Sequence, residues 1–244
     1  MSDNFSEQFK QFEELMKETQ VLLFIARDSD LQRAAVIKLA EFLLLLGEWK
    51  QVAIADKNED RANLILGMEC VAKSFKAELE MWLLLKAEKP EEAWGSLVSA
   101  QSETSHAARA HQDFAHVEHR ANYLEMVEKL IFPPQAFMSM GLIVRKQICT
   151  VCERDYEECS HLVGMPYWGE FCFRRLVDVS PDHVAFVKVP ANKHCRVTHF
   201  DVEGGVRNKM TWRVEPKPSQ NPPNENKKGL QAKGILLAVS DLRS

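Results

Sequence analysis

Apolar positions recur with helical period from residue 5 to residue 131. Phe5, Phe9, Phe12 and Met16 fall at i, i+4, i+7 and i+11, one stripe of an amphipathic helix. Asp28 or Ser29 can cap a second helix carrying Leu31, Ala35, Leu39, Leu43 and Leu46 on one face and ending near Gly47. The run Leu43–Leu46 is apolar all round and suits a central buried helix. Asp56 or Asn58 can start a third helix, with Leu64, Met68, Val71, Phe75, Leu79, Trp82 and Leu85 along one side. Pro90 suits the first turn of a fourth, with Glu91 and Glu92 favourable to its dipole and Ala93, Trp94, Leu97 and Val98 inward. A fifth covers about 114–131 and stops at Pro133-Pro134. Short loops between these elements predict an antiparallel helical bundle.

Beyond residue 132 the period changes. Phe137–Val144 is an apolar stretch, Asp182–Val189 alternates and is closed by Pro190, and Arg196–Val202 and Met210–Val214 read as further strands around a Gly204-Gly205 turn. Residues 215–230 are rich in Pro, Asn and Lys and read as a flexible linker, followed by an apolar segment from Gly234 to Leu242 that reads either as a final strand or as a tail that docks on this chain or a partner. The expected fold class is α+β: a helical bundle over 1–144, a zinc-stabilised β-rich module over 145–214, and a linker and docking tail over 215–244.

Charge and cysteine divide at the same place. The chain has 244 residues and a net charge of −4; residues 1–144 hold 15 Lys+Arg against 23 Asp+Glu, and residues 145–244 hold 16 against 12. The basic excess of the second part admits nucleic acid beside a protein partner. No apolar run approaches the roughly 18–20 residues of a membrane span, and MSDNFSEQFK at the start is polar and acidic, unlike a secretory leader. A cytoplasmic setting is expected, where clustered cysteines are more often metal ligands than disulfides.

Five of the six cysteines lie in the second part, and Cys149, Cys152, Cys159 and His161 follow the spacing C-x2-C-x6-C-x-H. Zinc takes about four thiolate or imidazole ligands at tetrahedral positions, and a set with no open position is structural rather than catalytic. All four candidates fall within 13 residues, so closing the loop costs little entropy. Cys172 and Cys195 are reserves, able to complete a cross-braced set with Cys149 and Cys152. The stretch CTVCERDYEECSHLVGMPYWGEFC, with the later PANKHCRV, resembles a small zinc knuckle of bacterial and phage-associated proteins. The resemblance covers roughly 132–213 and implies a zinc module and a bacterial or phage source, without catalytic residues.

Two nuclease patterns stand beside this reading. Arg109 and His116 have the Arg-x6-His spacing that resembles HEPN-type ribonucleases, although Ala110 replaces the polar residue expected after the arginine. Asp182-His183, Asn192 and His199 resemble the order of residues in HNH nucleases, which would serve a phage-defence role. Glu103-x-x-His106 and Asp113-x-x-His116 are carboxylate–imidazole pairs about 15 Å apart on a continuous helix, too far to share an ion. The expected function is that of a zinc-binding, non-catalytic adaptor, assembly or regulatory subunit contacting another macromolecule, with a metal-dependent nuclease as the alternative.

Overall fold

The computed structural model describes residues 2–216 and 232–236. Five α-helices come first: α1 (Ser2–Gln20), α2 (Ser29–Ala55), α3 (Glu59–Lys86), α4 (Pro90–Ala110) and α5 (Glu118–Ile131). Small antiparallel sheets follow, so the fold is α+β. β1 (Phe137–Cys149) pairs with β4 (Arg174–Val187); β2 (Pro166–Tyr167) and β3 (Glu170–Phe171) form a hairpin. β5 (Val197–Val202), β6 (Gly205–Asn208), β7 (Val214–Glu215) and β8 (Ala232–Gly234) make a four-stranded sheet in the order β7-β6-β5-β8. No helix among the described residues is long and apolar enough to cross a membrane.

The helix starts follow their caps. Asp28 Oδ1 accepts from the Asp30 and Leu31 N–H groups, Asn58 Oδ1 accepts from the Arg61 N–H, and Pro90 opens α4. The centre of the bundle is α3, packed along both α2 and α4 and buried on nearly every side, including Ile65, Met68, Leu79 and Met81.

Four sequence expectations change here. Gly47 does not end α2, which runs eight residues further to Ala55, because Leu46 and Ala53 keep the apolar seam continuous and one helical glycine costs only about 1 kcal/mol. The run Leu43–Leu46 is not buried all round: Leu44 is 74% exposed, and the central role falls to α3. Leu31 is exposed, while its neighbour Gln32 is buried, its amide donating to the Leu22 and Phe24 carbonyls and accepting from Lys86. The expected fifth helix is two elements, a 3-10 segment over Gln112–Val117 and then α5, because the Phe114 ring packs directly on Gly67 and a β-carbon there would lie 2.2 Å from it.

In the β-rich part, β4 begins well before Asp182, and β5 and the Gly204 turn lie where expected. Met210 is not in a strand. Asn208 accepts from the Met210 and Thr211 N–H groups and folds 208–213 into a turn ahead of β7. Within the apolar tail, Gly234 ends β8 antiparallel to β5, and the Ile235 N–H donates to the Arg196 carbonyl; residues 237–242 lie outside the described residues.

The chain separates into two compact units, Met1–Glu128 with Gln147–Arg175, and Lys129–Lys146 with Leu176–Ser244. The boundary expected at residue 145 therefore falls inside β1, and the knuckle sequence groups with the helices. The cause is local packing. The β2–β3 hairpin turns through Trp168 (φ 50) and Gly169 (φ 77), the two left-handed positions of a primed turn. Their N–H groups donate to Glu59 Oε1 and Asn63 Oδ1 in the first turns of α3. A β-carbon on Gly169 would stand 2.7 Å from Lys50 Cδ and 3.2 Å from the Ala62 carbonyl oxygen. Phe171 then packs against the helical core. Gly169→Ala is expected to destabilise this unit by about 1–3 kcal/mol through positive-φ strain and the clash together, which a urea titration followed by circular dichroism would read directly.

Candidate metal centre

The end of β1 delivers Cys149 to a tight knuckle. The Glu153 N–H donates to the Cys149 carbonyl, the Cys149 N–H donates to the Arg154 carbonyl, and Glu153 takes a left-handed φ of 56 to make the reversal. Asp155 caps a single 3-10 turn over Tyr156–Glu158 through the Glu157 N–H, and the chain returns with Cys159 and His161. The aromatic residues fasten the return: Tyr156 and Tyr167 hydroxyls accept from the Val163 and Leu162 N–H groups, and the Tyr167 ring stands edge-on to His161 at 4.6 Å.

Four ligand atoms converge as a result. The Sγ atoms of Cys149, Cys152 and Cys159 and a ring nitrogen of His161 all lie within 4.8 Å of one another, a group that could hold a metal ion. Cys152 and Cys159 sulfurs are 3.6 Å apart, and His161 Nδ1 is 3.3 Å from Cys159 Sγ and 3.7 Å from Cys149 Sγ. Backbone amides point at the sulfurs: the Val151 N–H at Cys149 (3.4 Å) and the His161 N–H at Cys159 (3.2 Å).

The electrostatics of the cluster are uneven. Burial opposes ionisation of Cys149, but the Cys152 and Val151 amides, together with the Cys159 and Cys152 side chains, bring the thiol down to about 7. The Arg154 amide lowers Cys152, with the Arg154 side chain assisting. Burial holds Cys159 above its ordinary value.

The reserve cysteines separate. Cys172 lies fully buried with its sulfur 3.7 Å from Cys149 Sγ, and burial pushes its thiol up to about 12; it stands beside Cys149 but outside the four whose ligand atoms all lie within 4.8 Å of one another. Cys195 belongs to the other compact unit, where its N–H donates to the Asn192 carbonyl and its own carbonyl accepts from Met138. Cys70 is a core residue of α3 whose thiol burial drives far up. Of the two reserves, Cys172 is the one brought beside Cys149, because bonds that extend the β2–β3 hairpin, from the Gly164 N–H to the Cys172 carbonyl and from the Cys172 N–H to the Met165 carbonyl, place it there.

The nuclease candidates each have local partners. Arg109 Nε donates to the Ser105 carbonyl, and its guanidinium lies 6.0 Å from the Phe171 ring centre. His116 bonds the Asp113 carbonyl through Nδ1 and stacks between Phe114 and His119. His183 pairs with the adjacent Asp182 carboxylate at 2.9 Å on an exposed stretch of β4; Asn192 Oδ1 accepts from the His194 N–H; the His199 ring bonds Thr198 and Asn208. The helix does break between Glu103-x-x-His106 and Asp113-x-x-His116, at extended His111. His106 nevertheless stays with Glu103 and the Phe171 ring, and His111 with Asp60 and Asp113. Among the described residues, the His/Cys/Asp/Glu group with metal-holding geometry is that of Cys149, Cys152, Cys159 and His161.

Compared with protein-family models, curated proteins and solved structures, the chain matches none of them, so the site is read from its own geometry.

Proposed function

We propose that Cys149, Cys152, Cys159 and His161 hold one structural zinc ion and that the protein is a non-catalytic binding subunit, an adaptor, assembly or regulatory component. The convergence of four ligand atoms within 4.8 Å carries this reading. Zinc–sulfur bonds of about 2.3 Å in a tetrahedron set sulfur–sulfur edges of about 3.8 Å, and a nitrogen ligand at about 2.0–2.1 Å gives slightly shorter mixed edges. The observed separations of 3.6, 3.3 and 3.7 Å fit those edges. Three thiolates and one imidazole favour zinc over the oxygen-seeking cations. The amides aimed at Cys149 and Cys159 offset thiolate charge in the way outer-shell donors do around metal sites.

Four protein ligands leave no open coordination position for substrate, and this supports a structural role. The work of such an ion is to fix 149–161 so that Tyr167, Gly169 and Phe171 reach the helices. Cobalt substitution tests the ligand set. The cobalt-loaded protein is expected to show the intense visible bands of tetrahedral coordination and thiolate charge transfer, weakened in Cys159→Ser; an octahedral spectrum would refute the site. Incubation with supercoiled plasmid and magnesium or manganese is expected to give no turnover, and cleavage abolished by His183→Ala would replace the binding role with a nuclease.

A further inference from the structure

The four-stranded sheet sorts its charges by face. Phe200 of β5 is paired with Arg207 of β6, Arg207 with Val214 of β7, and Phe200 with Ala232 of β8, so these side chains form one row across one face. Alternation along the strands adds Val202 to that face and places Asp201 and Glu215 on the other. The turn after β6 adds to the first face. Buried Asn208 closes it, accepting from the Met210 and Thr211 N–H groups through its side chain and from the Trp212 N–H through its carbonyl. Trp212 is held there at φ 58, a conformation rare for a bulky side chain and worth a functional question.

The turn lays Trp212 beside Phe200, ring centres 6.2 Å apart and edge to face, and leaves Trp212 49% exposed. The Arg207 guanidinium lies 5.8 Å from the indole centre and Lys209 Nζ lies 5.5 Å from it. Arg207 Nε is buried without a hydrogen-bond partner, and neither Arg207 nor Lys209 has a carboxylate partner among the described residues. Two aromatic rings and two uncommitted cations thus share a face whose described strand positions carry no acid.

We infer that this face, built from Phe200, Arg207, Lys209 and Trp212, binds single-stranded nucleic acid. A single strand offers an exposed base and an adjacent phosphate, so one nucleotide step can meet an indole face and a cation together. A duplex keeps its bases stacked inside, and an acidic peptide would satisfy the cations while leaving the indole unused. The inference rests on the reading of the chain as a macromolecule-binding protein and names the partner's chemistry. It does not depend on the metal, so zinc content and strand binding can fail separately.

The test uses the full chain and fluorescence anisotropy with labelled oligo-dT and oligo-U of about 15 nucleotides, within the site sizes of known single-strand binders. Both strands are expected to bind, and more tightly than a duplex of equal length. Trp212→Ala should weaken binding about tenfold or more, and Trp212→Phe, which keeps a stacking ring, should recover much of the loss. Replacing Arg207 and Lys209 together by Gln should reduce the slope of log affinity against log salt by about 1.4. No binding of either strand at low salt would overturn the inference. So would affinity unchanged in Trp212→Ala with full displacement by polyglutamate, which would assign the face to an acidic protein.

Discussion

Serine at Cys152 or Cys159 is expected to lower the melting temperature of the helical unit and to free the knuckle, although neither residue lies in the helical core. A broken Cys3His set forfeits much of the metal's contribution to folding, and a loss of about 3 kcal/mol or more is reasonable for a structural site. At about 2–4 °C per kcal/mol for a unit of this size, the shift is about 6–12 °C. The effect reaches the helices because Trp168 and Gly169 donate to Glu59 and Asn63 on α3, and Phe171 packs on the core beside His106. Chelation of the unmodified protein should produce the same shift and expose 150–170 to protease, read by a thermal melt and limited proteolysis. An equal melt with and without chelator would detach the knuckle from stability.

The second large effect sits between α3 and α5. The Glu78 carboxylate is fully buried; it accepts from Arg120 Nη2 at 2.7 Å, from the Tyr123 hydroxyl at 3.2 Å and from Trp82 Nε1 at 3.3 Å. Arg120 also donates to Ser74 and lies 4.1 Å from the Phe75 ring centre. Removing one partner of a buried pair leaves an uncompensated charge, so Arg120→Met is expected to cost about 3–5 kcal/mol at pH 7. Replacing both groups, as in Glu78→Leu with Arg120→Met, should recover most of that loss.

The deficit of the single variant should depend on pH. Burial raises Glu78 above its ordinary 4.5, and Arg120 with the Trp82 and Tyr123 donors restrains the rise. Without the guanidinium the folded-state value climbs further. A carboxyl whose folded pKa lies above its unfolded one favours folding while protonated, and that contribution is lost as pH rises through the folded value. The Arg120→Met deficit should therefore shrink as pH falls from 7 toward 4.5. Urea midpoints across that range measure it, and a constant deficit would show that the charge is not the cause.

Much of the helical part was legible because its signals are local. Asp28, Asn58 and Pro90 announce helix starts within one turn, and Phe12, Met16, Leu39 and Met68 fall on buried stripes. The convergence of Cys149, Cys152, Cys159 and His161 was legible for the same reason, since 13 residues can bring four ligands together without help from the rest of the chain. What escaped depends on distant partners. Gly47 looks like a helix end until the seam through Ala53 is seen. Glu78 looks like a solvated charge until Arg120 arrives from 42 residues away. The grouping of the knuckle with the helices turns on Gly169 fitting against Lys50 and Ala62, a contact with no signature in either segment alone. Trp212 looks like part of a strand because the Asn208-centred turn is specified by one side chain's bonds to two amides rather than by a glycine or proline.

The claim that Cys149, Cys152, Cys159 and His161 form a closed metal centre meets its most direct test in native mass spectrometry with elemental analysis, on protein purified without added metal. One zinc ion per folded chain is expected, retained through gel filtration and lost in the Cys152→Ser, Cys159→Ser double variant. A folded chain that carries no metal and melts at the same temperature with and without added zinc would contradict it.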